Sequence, residues 1–373
     1  MRTLLINIIV LVLLFVLGEG FLSVVLLSSD MLGEHVTLER VHTRYDPELG
    51  WAAIPNLDLP SMYGPGGFLR TNSQGFRGAD DYTEAVPPGK RRVICSGDSV
   101  TFGYGVDDEH TWCRMLETID PRLETINMGL SGYGVDQAYL WYKRDAARFQ
   151  HQVHLFAPIT DDFRRMQSSK FLGYGRPLLV VEDGRLVVTN VPVPAGSFQL
   201  PWWTEVRRHL WSLRSVQAVR RLKQSLSESS GEVMAASLDE QTAKAGPDRE
   251  AAVVVSKLLQ DLKRLNEARG SILVVVYLPS HNDRGPDTVF WTGVVERECE
   301  MLGIPFLNLL KDFDRLPRAK AARLYLPGDR EHFSRKGNEY VARLIYQKLT
   351  GLPQLSEVLV APDRRHHQAA RRG

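Results

Sequence analysis

The chain is expected to be an α/β protein, with a five-stranded parallel sheet held between two layers of helices. Three observations point there. Short apolar, often β-branched runs alternate with longer segments of helical spacing, the pattern of strand and crossover helix. Three of the runs lead into polar residues, Ser99, the stretch from Gly129 to Gly132, and Thr160-Asp161-Asp162, which a parallel sheet would gather at one edge. And 43% hydrophobic residues over 373 positions suffice for a large core. The net charge of +2 gives no reason to expect a nucleic-acid partner. The three cysteines, Cys95, Cys113 and Cys299, make neither a disulfide framework nor a metal-binding spacing.

In chain order, residues 1–27 are apolar apart from Arg2, Thr3, Asn7, Ser23 and an interruption at Gly18-Glu19-Gly20. They are expected to form a transmembrane anchor or uncleaved signal, with Arg2 on the cytoplasmic side and the rest of the chain outside the cytoplasmic membrane. Residues 28–90 are rich in glycine, proline and turn residues and read as an extended strap of short strands. Arg70 and Arg77 fit there as structural anchors.

The alternation starts at Arg91. Strands are expected at 93–96, 125–128, 151–159, 272–278 and 305–310. Helices are expected at 109–119, 136–149, 249–268, 289–302 and 334–349, the last capped by Ser334. Residues 170–248 interrupt it as an insertion: a hairpin over 177–191 turning at Glu182-Asp183-Gly184, a basic amphipathic helix over 202–226, and a polar loop over 227–248. The basic tail, 351–373, is expected to be disordered. Its pair His366-His367 lacks further ligands nearby, so no metal site is expected.

The chemistry centres on Val93-Ile94-Cys95-Ser96-Gly97-Asp98-Ser99. A buried strand that stops at an exposed hydroxyl presents a nucleophile on a rigid support. Gly-Asp-Ser alone is also ordinary turn or helix-cap material. A serine hydroxyl needs a base, and histidine is the side chain that serves near neutral pH. His332 stands just before the terminal helix with Asp329 three residues ahead, a spacing at which one carboxylate can hold one imidazole nitrogen.

The blocks Gly97-Asp98-Ser99-Val100, Asn127-Met128-Gly129-Leu130-Ser131-Gly132, Thr160-Asp161-Asp162-Phe163 and Asp329-x-x-His332 occur in that order. Together they resemble the SGNH hydrolases, or GDSL esterases, over residues 91–349 less the insertion. The strap also resembles membrane-anchored bacterial members through Asn72-Ser73-Gln74-Gly75-Phe76-Arg77-Gly78. The resemblance implies a flavodoxin-like three-layer sandwich and an acyl-ester hydrolase with no cofactor and no metal. It implies Ser99 as nucleophile and first oxyanion donor, Gly129 as second donor, and His332 as base oriented by Asp329. The family's third donor is an asparagine, and here Asp161 stands in its place. Three arrangements would relieve the cost of a carboxylate beside an oxyanion: a protonated Asp161, an Asp161 turned onto a cation such as Arg164 or Arg165, or donation by Thr160 instead. Asp98 is expected to support the nucleophile turn, and His281 and Asp283 to be loop residues. Implied substrates are O-acetyl or other acyl esters, including those on cell-envelope polysaccharide. An O-acyltransferase of the same fold and a non-catalytic envelope-assembly subunit are the alternatives.

Overall fold

The computed structural model of the chain describes residues 2–32, 41–63, 67–196, 249–280, 285–327, 329 and 331–360. It divides into two compact units, residues 1–41 with 198–241, and residues 42–197 with 242–373. In the first unit the described element is helix α1 (Arg2–Leu32). Its apolar side chains from Ile6 to Leu17 are exposed. The transmembrane helix expected over 1–27 is not found: among the described residues, no helix is long and apolar enough to cross a membrane. The expected basic helix and polar loop of the insertion lie outside the described residues, as do His281 and Asp283.

The second unit is built on the expected sheet. Its strands are β1 (Arg91–Gly97), β2 (Leu123–Gly129), β3 (Val153–Ala157), β4 (Ile272–Tyr277) and β5 (Phe306–Asn308). They lie in the order β5-β4-β3-β1-β2, with every pair parallel. Central strands of such a sheet are covered on both sides, and β1 and β3 are buried almost throughout. Alternate residues serve opposite layers: Ile94 joins one core cluster, Val93 and Cys95 the other.

On the Ile94 side pack α4 (Val135–Trp141), α6 (Arg249–Glu267) and α7 (Pro286–Leu302). On the other pack α3 (Trp112–Ile119), α10 (Arg335–Thr350) and α11 (Pro353–Val360). Helix α11 corrects the expected tail, because Leu355 and Leu359 are buried and hold it to the core. Residues 361–373 lie outside the description. Ser334 caps α10, its hydroxyl accepting from the Gly337 N–H at 3.2 Å.

The strap consists of two short antiparallel pairs, Thr43–Asp46 with Gly50–Ala53 and Asp58–Leu59 with Leu69–Arg70. Arg77 pins it to the domain. Its guanidinium donates to Asp108 at 2.6 Å and to the Val106 carbonyl at 2.9 Å, and its side chain is almost fully buried. The hairpin of the insertion pairs Leu178–Glu182 with Arg185–Thr189 and turns at Asp183-Gly184, both at positive φ.

Candidate active site

Strand β1 is flanked by β2 on one side and β3 on the other, so the chain changes direction across the sheet beside it. Loops diverge there and leave a crevice at the carboxyl edge. Into that edge β1 delivers Gly97, Asp98 and a one-turn helix, α2 (Ser99–Phe102). Asp98 caps the turn, its Oδ1 accepting from the Val100 N–H at 2.9 Å, and Gly103 ends it at φ +83°. A Cβ at Gly129 would run into the backbone of Thr101 and Phe102, so only glycine lets β2 lie this close to the nucleophile turn.

His332 arrives on the loop before α10. The Leu326 N–H donates to the His332 carbonyl at 2.9 Å, and the Asn338 carboxamide ties α10 to both Trp112 and Phe333. Ser99 Oγ lies 2.8 Å from His332 Nε2, and His332 Nδ1 lies 2.7 Å from Asp329 Oδ2. Asp329 Oδ1 meanwhile accepts from the Glu331 and His332 N–H groups at 2.8 and 3.1 Å. The carboxylate orientation is therefore fixed by the backbone. Its Oδ2 accepts from Nδ1–H, which leaves the Nε2 lone pair to face the Ser99 hydroxyl. The Tyr104 ring packs on the imidazole with centroids 4.5 Å apart.

Burial alone would lower the His332 pKa. The hydrogen bond and charge of Asp329, with Glu331 and Asp98 adding to them, outweigh it and set the value above 6.5. For Asp329, burial pulls upward, but the bond to His332 prevails and holds the carboxyl below its usual range.

The oxyanion side departs from expectation. The Ser99 N–H, first amide of α2, bonds to no described group. The Gly129 N–H donates to the Asn127 side-chain oxygen at 2.9 Å. The expected second donor, Gly129, is thus engaged by a side chain in this structure. Its place is close packing, while Asn127 also donates from Nδ2 to the Thr101 carbonyl at 2.9 Å. Two residues further on, the Ser131 and Gly132 amides bond to no described group. Thr160, the other expected donor, is engaged as well. Its hydroxyl is buried between Tyr277 and Thr288, at 2.9 and 3.1 Å. Asp161 has turned onto a cation, with Oδ1 2.6 Å from Arg164 Nη1; the same guanidinium reaches Asp287 at 3.1 Å.

Behind Ser99 lies a buried ionic cluster. Arg165, from helix α5 (Thr160–Arg165), donates from Nη1 to Asp98 Oδ2 at 3.0 Å, Asp162 Oδ1 at 2.8 Å and the Tyr133 carbonyl at 3.2 Å. Burial, with the Asp98 charge beside it, pushes the Asp162 pKa well up, against the pull of Arg165. Asn127 and Tyr104 were not singled out from the sequence as functional, although Asn127 sits in a recognised block. Arg165 was expected only as a cation for Asp161; Arg164 takes that place, and Arg165 pairs with Asp98 and Asp162 instead. Among the described residues, no group of acidic, histidine or cysteine side chains could hold a metal ion.

No protein-family model matches the chain, and no curated protein matches it. Solved structures do. A member of the lipolytic protein G-D-S-L family from Veillonella parvula DSM 2008 is 11% identical, with 70% of this chain and 100% of that one covered and a TM-score of 0.38. An acetyl xylan esterase, AlAXEase, is 13% identical over 69% of this chain and 99% of that one, with a TM-score of 0.40. A catalytic mutant of an acetylxylan esterase from Geobacillus stearothermophilus is 12% identical over 69% and 93%, with a TM-score of 0.39.

Proposed function

We propose that the chain is a serine esterase that cleaves acyl esters through Ser99, His332 and Asp329. The observation that carries the reading is the unbroken hydrogen-bonded line from the Ser99 hydroxyl through both imidazole nitrogens to a backbone-fixed carboxylate. In this mechanism Ser99 Oγ attacks the ester carbonyl as its proton passes to His332 Nε2. The imidazolium is stabilised by Asp329 and the Tyr104 face. The tetrahedral oxyanion is met by the Ser99 N–H. His332 returns its proton to the departing alkoxide, leaving an acyl-Ser99 ester. Water, deprotonated by the same imidazole, then releases the acid and restores the hydroxyl.

The substrates proposed are short acyl esters, including O-acetyl groups on envelope polysaccharide. The location proposed is the outer side of the bacterial cytoplasmic membrane. An apolar helix as exposed as α1, with Phe15 71% and Phe21 72% accessible, supports a lipid contact. Hydrolysis of 4-nitrophenyl acetate by the full chain, lost in Ser99→Ala, tests the activity. Pelleting with membranes after a carbonate wash tests the location. Turnover without a sugar acceptor separates a hydrolase from an acyltransferase, and no turnover with any acyl ester would leave a non-catalytic role.

A further inference from the structure

The Ser99 hydroxyl has one proton and two acceptors. His332 Nε2 is at 2.8 Å and Asp98 Oδ2 at 3.3 Å. An ionised carboxylate is the stronger acceptor, and a hydroxyl turned onto Asp98 would offer no proton to the imidazole. We infer that Arg165 is a positioning residue that directs the Ser99 proton to His332 by occupying the competing oxygen of Asp98. The inference rests on the esterase reading of the same site.

The geometry is specific. Asp98 Oδ1 is fixed on the Val100 N–H, so Oδ2 is the oxygen left to face Ser99. Arg165 Nη1 reaches that same Oδ2 at 3.0 Å. The guanidinium is itself held in place: Asp162 accepts from it at 2.8 Å with its own Oδ2 tied to the Ile159 N–H, the Tyr133 carbonyl accepts at 3.2 Å, and the Phe171 ring lies 5.3 Å away. All three ionic side chains are nine-tenths or more buried, so the interaction is weakly screened. Two carboxylates share one arginine, and the one beside the nucleophile is neutralised without being removed. It remains as the cap of α2.

Around the imidazole stand Asp329 at Nδ1, Glu331 on the same loop, Asp98 across from it on the nucleophile turn, and the Tyr104 ring. Of these, Asp98 is the one Arg165 touches. Arg165→Met would uncover its charge, which favours the imidazolium and moves the acid limb of kcat to higher pH. It would also draw the hydroxyl away and lower kcat at the plateau by roughly tenfold, a fraction of what a well-aimed general base contributes. KM should stay within about twofold.

The test is a set of pH–rate profiles on the full chain with 4-nitrophenyl acetate. Arg165→Met should show the lower plateau and the shifted limb. Asp98→Asn/Arg165→Met, in which the side chain at 98 keeps an acceptor for Val100 but no charge, should recover about tenfold over Arg165→Met and reverse the shift. Should Arg165→Met fail to fold, Arg165→Gln, which keeps donors without the charge, reads the same shift. An unshifted limb, or a double variant no better than the single, overturns the inference and leaves Arg165 as a structural ion pair. A wild-type chain with neither turnover nor Ser99 labelling by a fluorophosphonate overturns the esterase reading itself, and this inference with it.

Discussion

Asp329→Asn is the substitution whose effect the geometry defines most closely. Oδ1 accepts two backbone N–H groups, from Glu331 and His332, and an asparagine oxygen would keep both. Its Nδ2 must then occupy the position of Oδ2, 2.7 Å from His332 Nδ1. A donor there forces Nδ1 to accept, so the ring proton moves to Nε2, where it opposes the Ser99 hydroxyl. The base is lost through the wrong tautomer, with hardly an atom displaced. The lost charge adds to this: a carboxylate about 4 Å from an imidazolium contributes about 4 kcal/mol at an effective dielectric of 20, or ~10³ in rate. The expected fall in kcat is ~10³ to 10⁴, similar to that for the same change in serine proteases. KM should hold, and the melting temperature should change little because both backbone bonds remain. The assay is steady-state hydrolysis of 4-nitrophenyl acetate, with the fold checked by circular dichroism. A variant within tenfold of wild-type kcat would refute the reasoning.

Further outcomes follow from the same contacts. Arg164→Met should lower kcat by up to ~10³ by freeing the Asp161 carboxylate, and Asp161→Asn/Arg164→Met should restore most of it. Asp161→Asn alone should change kcat less than tenfold, since the carboxylate is already held by Arg164 at 2.6 Å. The kcat/KM profile should rise through a midpoint above 6.5, because His332 must be neutral to act and its pKa is raised. In stability, a raised histidine pKa contributes fully below about 6.5, and that contribution is lost as pH rises through the folded value. The depressed Asp329 contributes above about 3.9, lost as pH falls through its folded value. Urea titrations of wild type and His332→Gln should therefore differ most between those limits and converge at alkaline pH. Arg176→Met should cost about 3–5 kcal/mol in the same titration, since it strands Asp136 in a fully buried pair joined at 2.8 Å.

The sheet was legible because its strands are fully buried. Val93, Ile94 and Val274 to Tyr277 must be apolar on both faces, and that leaves a run no surface element would carry. The same physics made Ser99 and His332 visible, as each follows or precedes a clear element at the edge where loops collect. Arg77 was legible as an anchor from its glycine-rich turn. The oxyanion side was not. Whether the Gly129 amide is open depends on Asn127 bending back to accept it, and whether Thr160 points to the crevice depends on Tyr277 and Thr288, more than a hundred residues away. Helix α11 was missed because its two buried leucines are too few to give a period. Asp162 and Arg165 are three apart on one helix, but the pairing of Arg165 with Asp98 was not legible because it depends on β1 lying beside β3, which no local spacing encodes.

The most direct test of the account is covalent labelling of the full chain with a fluorophosphonate, read by peptide mass spectrometry. The account predicts a single stoichiometric adduct on Ser99, formed faster as pH rises past the His332 midpoint and lost in His332→Gln. No adduct, or one on another residue, would contradict it.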